Sequence, residues 1–401
     1  MNFSALQFMT PVVSLSIYVH TPYCLQRCRY CDFTTFEATE IYRPEKYFND
    51  LFKEIEQRNS IWKERQLNSL YFGGGTPSLV DPELIISTLK HLANVGFEIH
   101  PTTEITIEIN PATLTEKSLD QYLSAGINRF SVGAQTFDDT LLKNAGRKHD
   151  ANDTRQTLQM LNSRDLNYSF DLLFALPHQT LSQLQKDLDE ILDWAPPHLS
   201  TYCLTVPEGH PMSFHRPLEE VQVEMFSEIE SQLKKIHLFK YELSNFSRPG
   251  FESVHNFSYW NDRPYWGVGL SSHSYDPRAG EYGTRFWNTK SIKAYPSEVQ
   301  RSGDRISDFH SEDQREELKL HEAMTDLCHM YLRTLDGLPL AALQKFPKPA
   351  QTLIEKNLLG LVEDQLLKKE ENHWRLTPEG ELKSNLIYAR LTFLKEDLPS
   401  D

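Results

Sequence analysis

"YVHTPYCLQRCRYCDF", residues 18–33, runs out of an aromatic, β-branched strand straight into three cysteines. Cys24, Cys28 and Cys31 are spaced four and then three apart, while Cys203 and Cys328 stand far away. A structural zinc site takes four ligands, often as two separated pairs. His20 would complete a Cys₃His set, but the two-pair spacing is missing. Three thiols packed as small apolar groups are a second reading. The third is a 4Fe–4S cluster on three thiolates, with one iron open to an outside ligand. A loop directly after a strand puts such a group at the C-terminal mouth of a βα array, where that architecture carries its chemistry.

Outward from this loop, the chain alternates β-rich runs with amphipathic segments. Strands are expected at 14–20, 68–74, 103–109, 128–134, 168–176 and 198–206, and helices at 44–58, 81–94, 116–126, 151–162 and 181–194. Six strands with crossover helices imply a right-handed parallel sheet. It is either a complete or partial βα barrel or an open doubly wound sheet, and periodicity alone does not separate these. The expected organisation is an N-terminal arm (1–13), a βα core (14–206), an irregular aromatic and His-rich extension (207–310) and a C-terminal module (311–401). In the last, "GLVEDQLLKKEENHWRLTPEG" (360–380) suggests a β-hairpin before a final helix, as in a winged-helix unit.

Composition narrows the function classes. The formal charge of −15 argues against a general nucleic-acid binder, and acidic side chains also outnumber basic ones over 311–401. No apolar run approaches the ~18 residues of a membrane span. The N-terminus lacks the basic start and long apolar core of a signal peptide. A cytoplasmic protein is expected, where thiols stay reduced, and five cysteines make a disulfide framework improbable.

The motifs "YVHTPYCLQRCRYCDF", "YFGGGTPS" (71–78), "EITIEINPATL" (104–114), "GINRFSVGAQTFDDTLLKNAGRKH" (126–149), "FDLLFALPHQT" (170–180) and "HNFSYW" (255–260) occur in this order. Together they resemble the HemN/HemW branch of the radical S-adenosylmethionine (radical SAM) superfamily. The resemblance implies a partial (β/α)₆ TIM-type barrel with a C-terminal α+β winged-helix-like domain. It makes Cys24, Cys28 and Cys31 the 4Fe–4S ligands. It also assigns Tyr18, His20, Gly73, Gly74, Gly75, Thr76, Glu108, Gln135, Arg147 and Asp171 to S-adenosylmethionine. From chemistry alone, three glycines offer close backbone approach and free amides. A carboxylate such as Glu108 on a barrel strand needs a partner. "GGGTP" is no Walker loop, since no Gly-Lys-Ser/Thr follows.

For "HNFSYW" the residues alone favour an aromatic packing loop. The HemW branch carries HNxxYW as a haem-associated motif, so the resemblance makes His255 a candidate iron ligand and Tyr259 and Trp260 candidate haem-stacking rings. His273 is a second histidine of interest, although Ser271 and Ser272 stand where the family usually shows glycine and alanine. Cys203 offers a thiolate ligand, but a buried strand cysteine is the expected reading. The porphyrinogen-oxidase branch usually has a further cysteine two positions after the third ligand, where this chain has Phe33. That difference favours haem binding and transfer to acceptor proteins, with an electron donor serving the cluster. Membrane association is expected only through a partner. The alternative is a radical SAM enzyme acting on a porphyrinogen, such as a coproporphyrinogen III dehydrogenase.

Overall fold

A computed structural model describes residues 14–37 and 42–398. The N-terminal arm expected at 1–13 lies outside them. Six strands form a parallel wall in chain order: β1 (Leu15–Thr21), β2 (Leu67–Gly74), β3 (Glu104–Ile109), β4 (Arg129–Gln135), β5 (Tyr168–Phe174) and β6 (His198–Cys203). Each expected strand is present within a few residues of its forecast ends.

The helices between them are α1 (Pro44–Arg58), α2 (Pro82–Asn94), α3 (Glu116–Ser124), α4 (Asp139–Ala145), α5 (Ala151–Asn162) and α6 (Leu181–Trp194). Their starts are written in the sequence. Asp81, Thr115, Asp150 and Thr180 each accept a first-turn backbone N–H, which satisfies a donor the helix itself cannot. Helix α4 was not foreseen, being only seven residues long and too short for periodicity to reveal.

Residues 207–310 are more regular than their composition suggests. Helix α7 (Glu219–Leu233) leads to β7 (Phe239–Glu242) and β8 (Asn245–Ser247), which extend the wall beyond β6 in antiparallel fashion. "HNFSYW" lies within a short helix, α8 (Val254–Trp260). The chain then returns to the opposite end, where β9 (Tyr265–Val268) pairs parallel to β1. Strands β10 (His273–Asp276), β11 (Thr284–Trp287) and β12 (Arg315–Glu317) continue antiparallel from there. The sheet order is β12-β11-β10-β9-β1-β2-β3-β4-β5-β6-β8-β7, an open twelve-stranded arc whose parallel centre is a partial barrel.

The C-terminal module has its own apolar core, centred on α9 (Leu320–Arg333), α10 (Lys348–Glu363) and the fully buried Trp374. A small sheet completes it, with β13 (Leu338–Pro339) and β14 (Leu367–Lys369) flanking β15 (His373–Leu376). The hairpin expected over 360–380 is thus shorter. Residues 360–363 finish α10 instead, because Ile354, Leu358 and Leu361 keep a helical period against the core.

Helix α1 is tied to the far side of the sheet by a buried polar hub. Glu54 Oε1 accepts from Arg58 Nη1 (3.1 Å) and Asn288 Nδ2 (2.6 Å), and its Oε2 accepts from the Gly269 amide (2.9 Å) and the Tyr295 hydroxyl (2.5 Å). Burial pushes the Glu54 carboxyl up, and Arg58 opposes that shift. Removing one member leaves the others desolvated without a partner. Glu54→Ala is expected to cost about 3–5 kcal/mol in chemical denaturation, whereas substitution of the exposed Glu83 on α2 changes stability by less than ~1 kcal/mol.

Candidate functional site

At the C-terminal ends of the parallel strands a cavity of about 490 Å³ opens into the barrel. Cys24, Cys28 and Cys31 stand on its rim with Phe33, whose ring is 63% exposed. The loop that carries the thiols is clamped at its root. The amides of Gly75 and Thr76 donate to the carbonyls of Thr21 and Tyr23, both at 2.7 Å. A Cβ on Gly75 would lie 2.6 Å from the Tyr23 oxygen, so only glycine allows this approach. Gly74, at φ +110°, donates its amide to Glu108 Oε2 at 3.0 Å.

This corrects one expectation. The amides of Gly74, Gly75 and Thr76 are not free for a ligand, because they hold β1, β2 and β3 together at the mouth.

The other cofactor candidates divide by position. Gly74, Gly75, Thr76, Glu108, Gln135, Arg147 and Asp171 all line the cavity. Tyr18, His20 and Gly73 do not; they stand behind that lining. His20 Nε2 donates to the Thr34 carbonyl (2.9 Å), so Nδ1 is the acceptor for the Tyr18 hydroxyl (3.0 Å). Burial lowers His20 to about 4, which keeps the ring neutral. With both nitrogens committed, His20 has no lone pair for a Cys₃His ion. Among the described residues no three His, Cys, Asp or Glu side chains converge on a single metal ion.

Arg147 crosses from β4 to the thiol loop. It donates through Nη2 to the Gly133 carbonyl (2.5 Å) and through Nη1 to Cys28 Sγ (3.4 Å). Thr76 Oγ1 donates to Cys24 Sγ at 3.8 Å. The Thr76 contact favours the Cys24 thiolate, but burial outweighs it and pushes the Cys24 thiol up to about 11. Gln135 is held at φ +72° where β4 turns, and buried Asp187 on α6 braces the turn by accepting from the Thr136 hydroxyl and the Phe137 amide.

The acids inside the barrel titrate near neutrality. Burial raises Glu108 to about 7 against the pull of its Tyr71 hydrogen bond (2.9 Å), and raises Asp171 to about 6 against Ser200, Arg129 and Arg147. Cavity-lining residues that motif reading did not single out include Tyr71, Arg129, Ser131, Ser200, Tyr202 and Asn256. For those on strands the signal was alternation: Arg129 and Ser131 share the inward face of β4 with Gly133.

"HNFSYW" lies at the opposite end of the barrel, under its floor. Glu104 at the start of β3 caps α8 by accepting from the amides of Val254 (3.1 Å) and His255 (2.9 Å). The His255 ring is 1% exposed and stacks on Tyr71. Ser69 donates to Ser16, so His255 Nδ1 is the donor in its 2.8 Å bond to Ser69 Oγ. Its Nε2 then accepts from the Tyr259 hydroxyl at 2.8 Å. Burial and the charge of Arg129 lower His255 to about 3. Trp260 stacks under the Arg333 guanidinium, 4.5 Å away, which joins the floor to the C-terminal module. Of this motif only Asn256 reaches the cavity. Exposed His273 stacks on Trp287. Cys203 is exposed rather than buried, since it ends β6 at the rim.

Residues 18–191 match the Radical SAM superfamily, and residues 318–382 match the HemN C-terminal domain. A three-cysteine loop at the mouth of a partial barrel with this appended module defines a radical SAM protein of the HemN type. The heme chaperone HemW of Bacillus subtilis is 31% identical over 388 residues, 93% of this chain and 98% of that protein. The HemW of Buchnera aphidicola subsp. Acyrthosiphon pisum is 30% identical over 91% of this chain and 95% of that protein. The chain belongs to the HemW family. Among solved structures, the coproporphyrinogen III oxidase HemN of Escherichia coli superposes with a TM-score of 0.78 over 94% of this chain and 90% of that one, at 22% identity.

The raised acids give a pH prediction. A carboxyl whose folded pKa lies above its unfolded value (~4) binds its proton more tightly when folded, so its stabilising effect is present at low pH and is lost as pH rises through the folded value. For Glu108 that window runs from roughly pH 4 to 7. Thermal unfolding between pH 5 and 8 is expected to show a smaller decline in Glu108→Gln than in the native chain.

Proposed function

We propose that this protein binds a 4Fe–4S cluster through Cys24, Cys28 and Cys31, holds S-adenosylmethionine in the adjoining cavity, and carries haem to acceptor proteins. The observation that carries the reading is the match to HemW proteins over more than nine-tenths of the chain, with Phe33 where an oxidase has cysteine.

The donor set suits the first two groups. Three thiols on one rim would supply three ligands of a cubane and leave its fourth iron without a protein thiolate. Held there by Cys24, Cys28 and Cys31, the cluster would supply one-electron reducing power for cleavage of S-adenosylmethionine. Glu108, Gln135, Arg147 and Asp171 line the same cavity and are the side chains proposed to contact the cofactor. An electron donor and a haem-accepting protein complete the partners. Among the described residues no helix is long and apolar enough to cross a membrane, so peripheral contact through a partner is the form of membrane association proposed.

The haem contact assigned to α8 carries a mechanical condition. His255 Nε2 has the lone pair that iron requires, but the Tyr259 hydroxyl occupies it. Ligation therefore needs α8 to draw back from the barrel floor, breaking that bond. Tyr259→Phe removes the competitor and is expected to tighten haem binding several-fold. His255→Ala is expected to change the Soret spectrum of the haem complex. If anaerobically reconstituted protein shifts no Soret band and His255→Ala is spectroscopically silent, the haem assignment fails. Cys→Ser at any of the three rim positions should abolish cluster absorbance, whatever the fate of haem. Conversion of coproporphyrinogen III to its divinyl product by the native chain would favour an oxidase instead.

A further inference from the structure

Arg129 is an unusual charge to find deep in this barrel. It opens β4, is 3% exposed and lines the cavity. Its Nε is buried with no hydrogen-bond partner among the described residues. Among the described residues the one carboxylate paired with it, Glu104 Oε2, stands 3.9 Å away and is already accepting the Val254 amide as the cap of α8. Next to it in register, Thr106 on β3 also buries a hydroxyl with no partner among the described residues. A desolvated cation without a hydrogen-bonded counterpart is costly, and protein interiors normally supply one.

Its charge is felt around the floor, where it helps to lower His255 and to hold down Asp171. Arg147, the other guanidinium in the cavity, is by contrast committed to Gly133 and Cys28.

We propose that Arg129, with Ser131 and Asn256 beside it, forms a carboxylate-binding subsite at the floor of the cavity. The planar guanidinium matches a carboxylate through two parallel hydrogen bonds. Glu108 and Asp171 in the same cavity disfavour a dianionic phosphate by repulsion, so a singly charged carboxylate is the better fit. This subsite orients its ligand along the barrel axis, between the thiol rim and α8, and rests on the radical SAM reading of the cavity above it. The carboxylate has two chemical sources, a tetrapyrrole propionate or an amino-acid group, and both are tested.

Cluster-loaded protein is titrated with haem and with its dimethyl ester, following the Soret band. It is titrated by calorimetry with S-adenosylhomocysteine and with 5′-methylthioadenosine, which lacks the amino-acid group. The native chain is expected to prefer the acid in at least one pair by roughly 10- to 100-fold, the worth of a charged hydrogen-bonded pair. Arg129→Met should erase that preference in the same pair, and the pair affected names the source. A purely structural Arg129 would alter melting temperature and leave acid-over-ester selectivity intact, which overturns the proposal. So does the absence of any acid preference in both pairs. Should Arg129→Met fail to fold, Arg129→Lys serves. It keeps the charge but loses the planar fork, so it reduces the preference several-fold if the subsite exists and leaves it unchanged if not. Failure of haem to bind at all would sink the haem assignment alone, because the nucleoside pair still decides this one.

Discussion

Two hydrogen bonds at the mouth of the barrel govern most of what lies around them. The Gly75 and Thr76 amides reach back to the Thr21 and Tyr23 carbonyls, and this clamp sets where the strand carrying the thiols turns outward. Everything near it is arranged to permit the approach. Gly75 has no room for a side chain, Gly74 takes a left-handed conformation, and Glu108 accepts the amide that this conformation directs toward β3. The thiol loop is therefore positioned by backbone atoms of two neighbouring strands. Within the loop, Arg27 Nη2 donates to the Cys31 carbonyl (3.0 Å) and the Arg29 amide to the Ala145 carbonyl (2.9 Å), which fixes its outer turn.

Beyond the clamp, the barrel interior is polar and its groups are answered across strands. Glu108 is met by Tyr71, Asp187 holds the β4 turn, and Ser16, Ser69 and Ser258 pass one chain of hydrogen bonds to His255. Such networks are costly when incomplete and rigid when complete. Arg129, with the Thr106 hydroxyl beside it in register, is left open among the described residues.

Much of this was legible in the sequence, for identifiable reasons. Strands β1 to β6 and the amphipathic helices announce themselves through local period, and the cysteine spacing points to the mouth. The cavity-facing acids follow from strand alternation. What escaped depends on distance along the chain. His255 and Ser69 are 186 residues apart, and no local pattern reveals that a histidine in an aromatic run will sit beneath a barrel with both nitrogens bonded. The roles of the glycine amides escaped for the same cause: glycine states that the backbone comes close to something, not to what. Cys203 was misjudged because a strand's last residue can turn to the rim while its neighbours stay inside.

The position of β9 has a consequence for how the chain is made. Strand β1 is flanked by β2 on one side and by β9, residues 265–268, on the other. A nascent chain emerging from the ribosome thus holds the cysteine strand with one edge bare until well over half the protein has been synthesised. Long-range parallel pairings of this kind are slow to form and expose unpaired backbone meanwhile. The strand that leads into the thiol loop therefore gains its second neighbour only after Val268 has emerged.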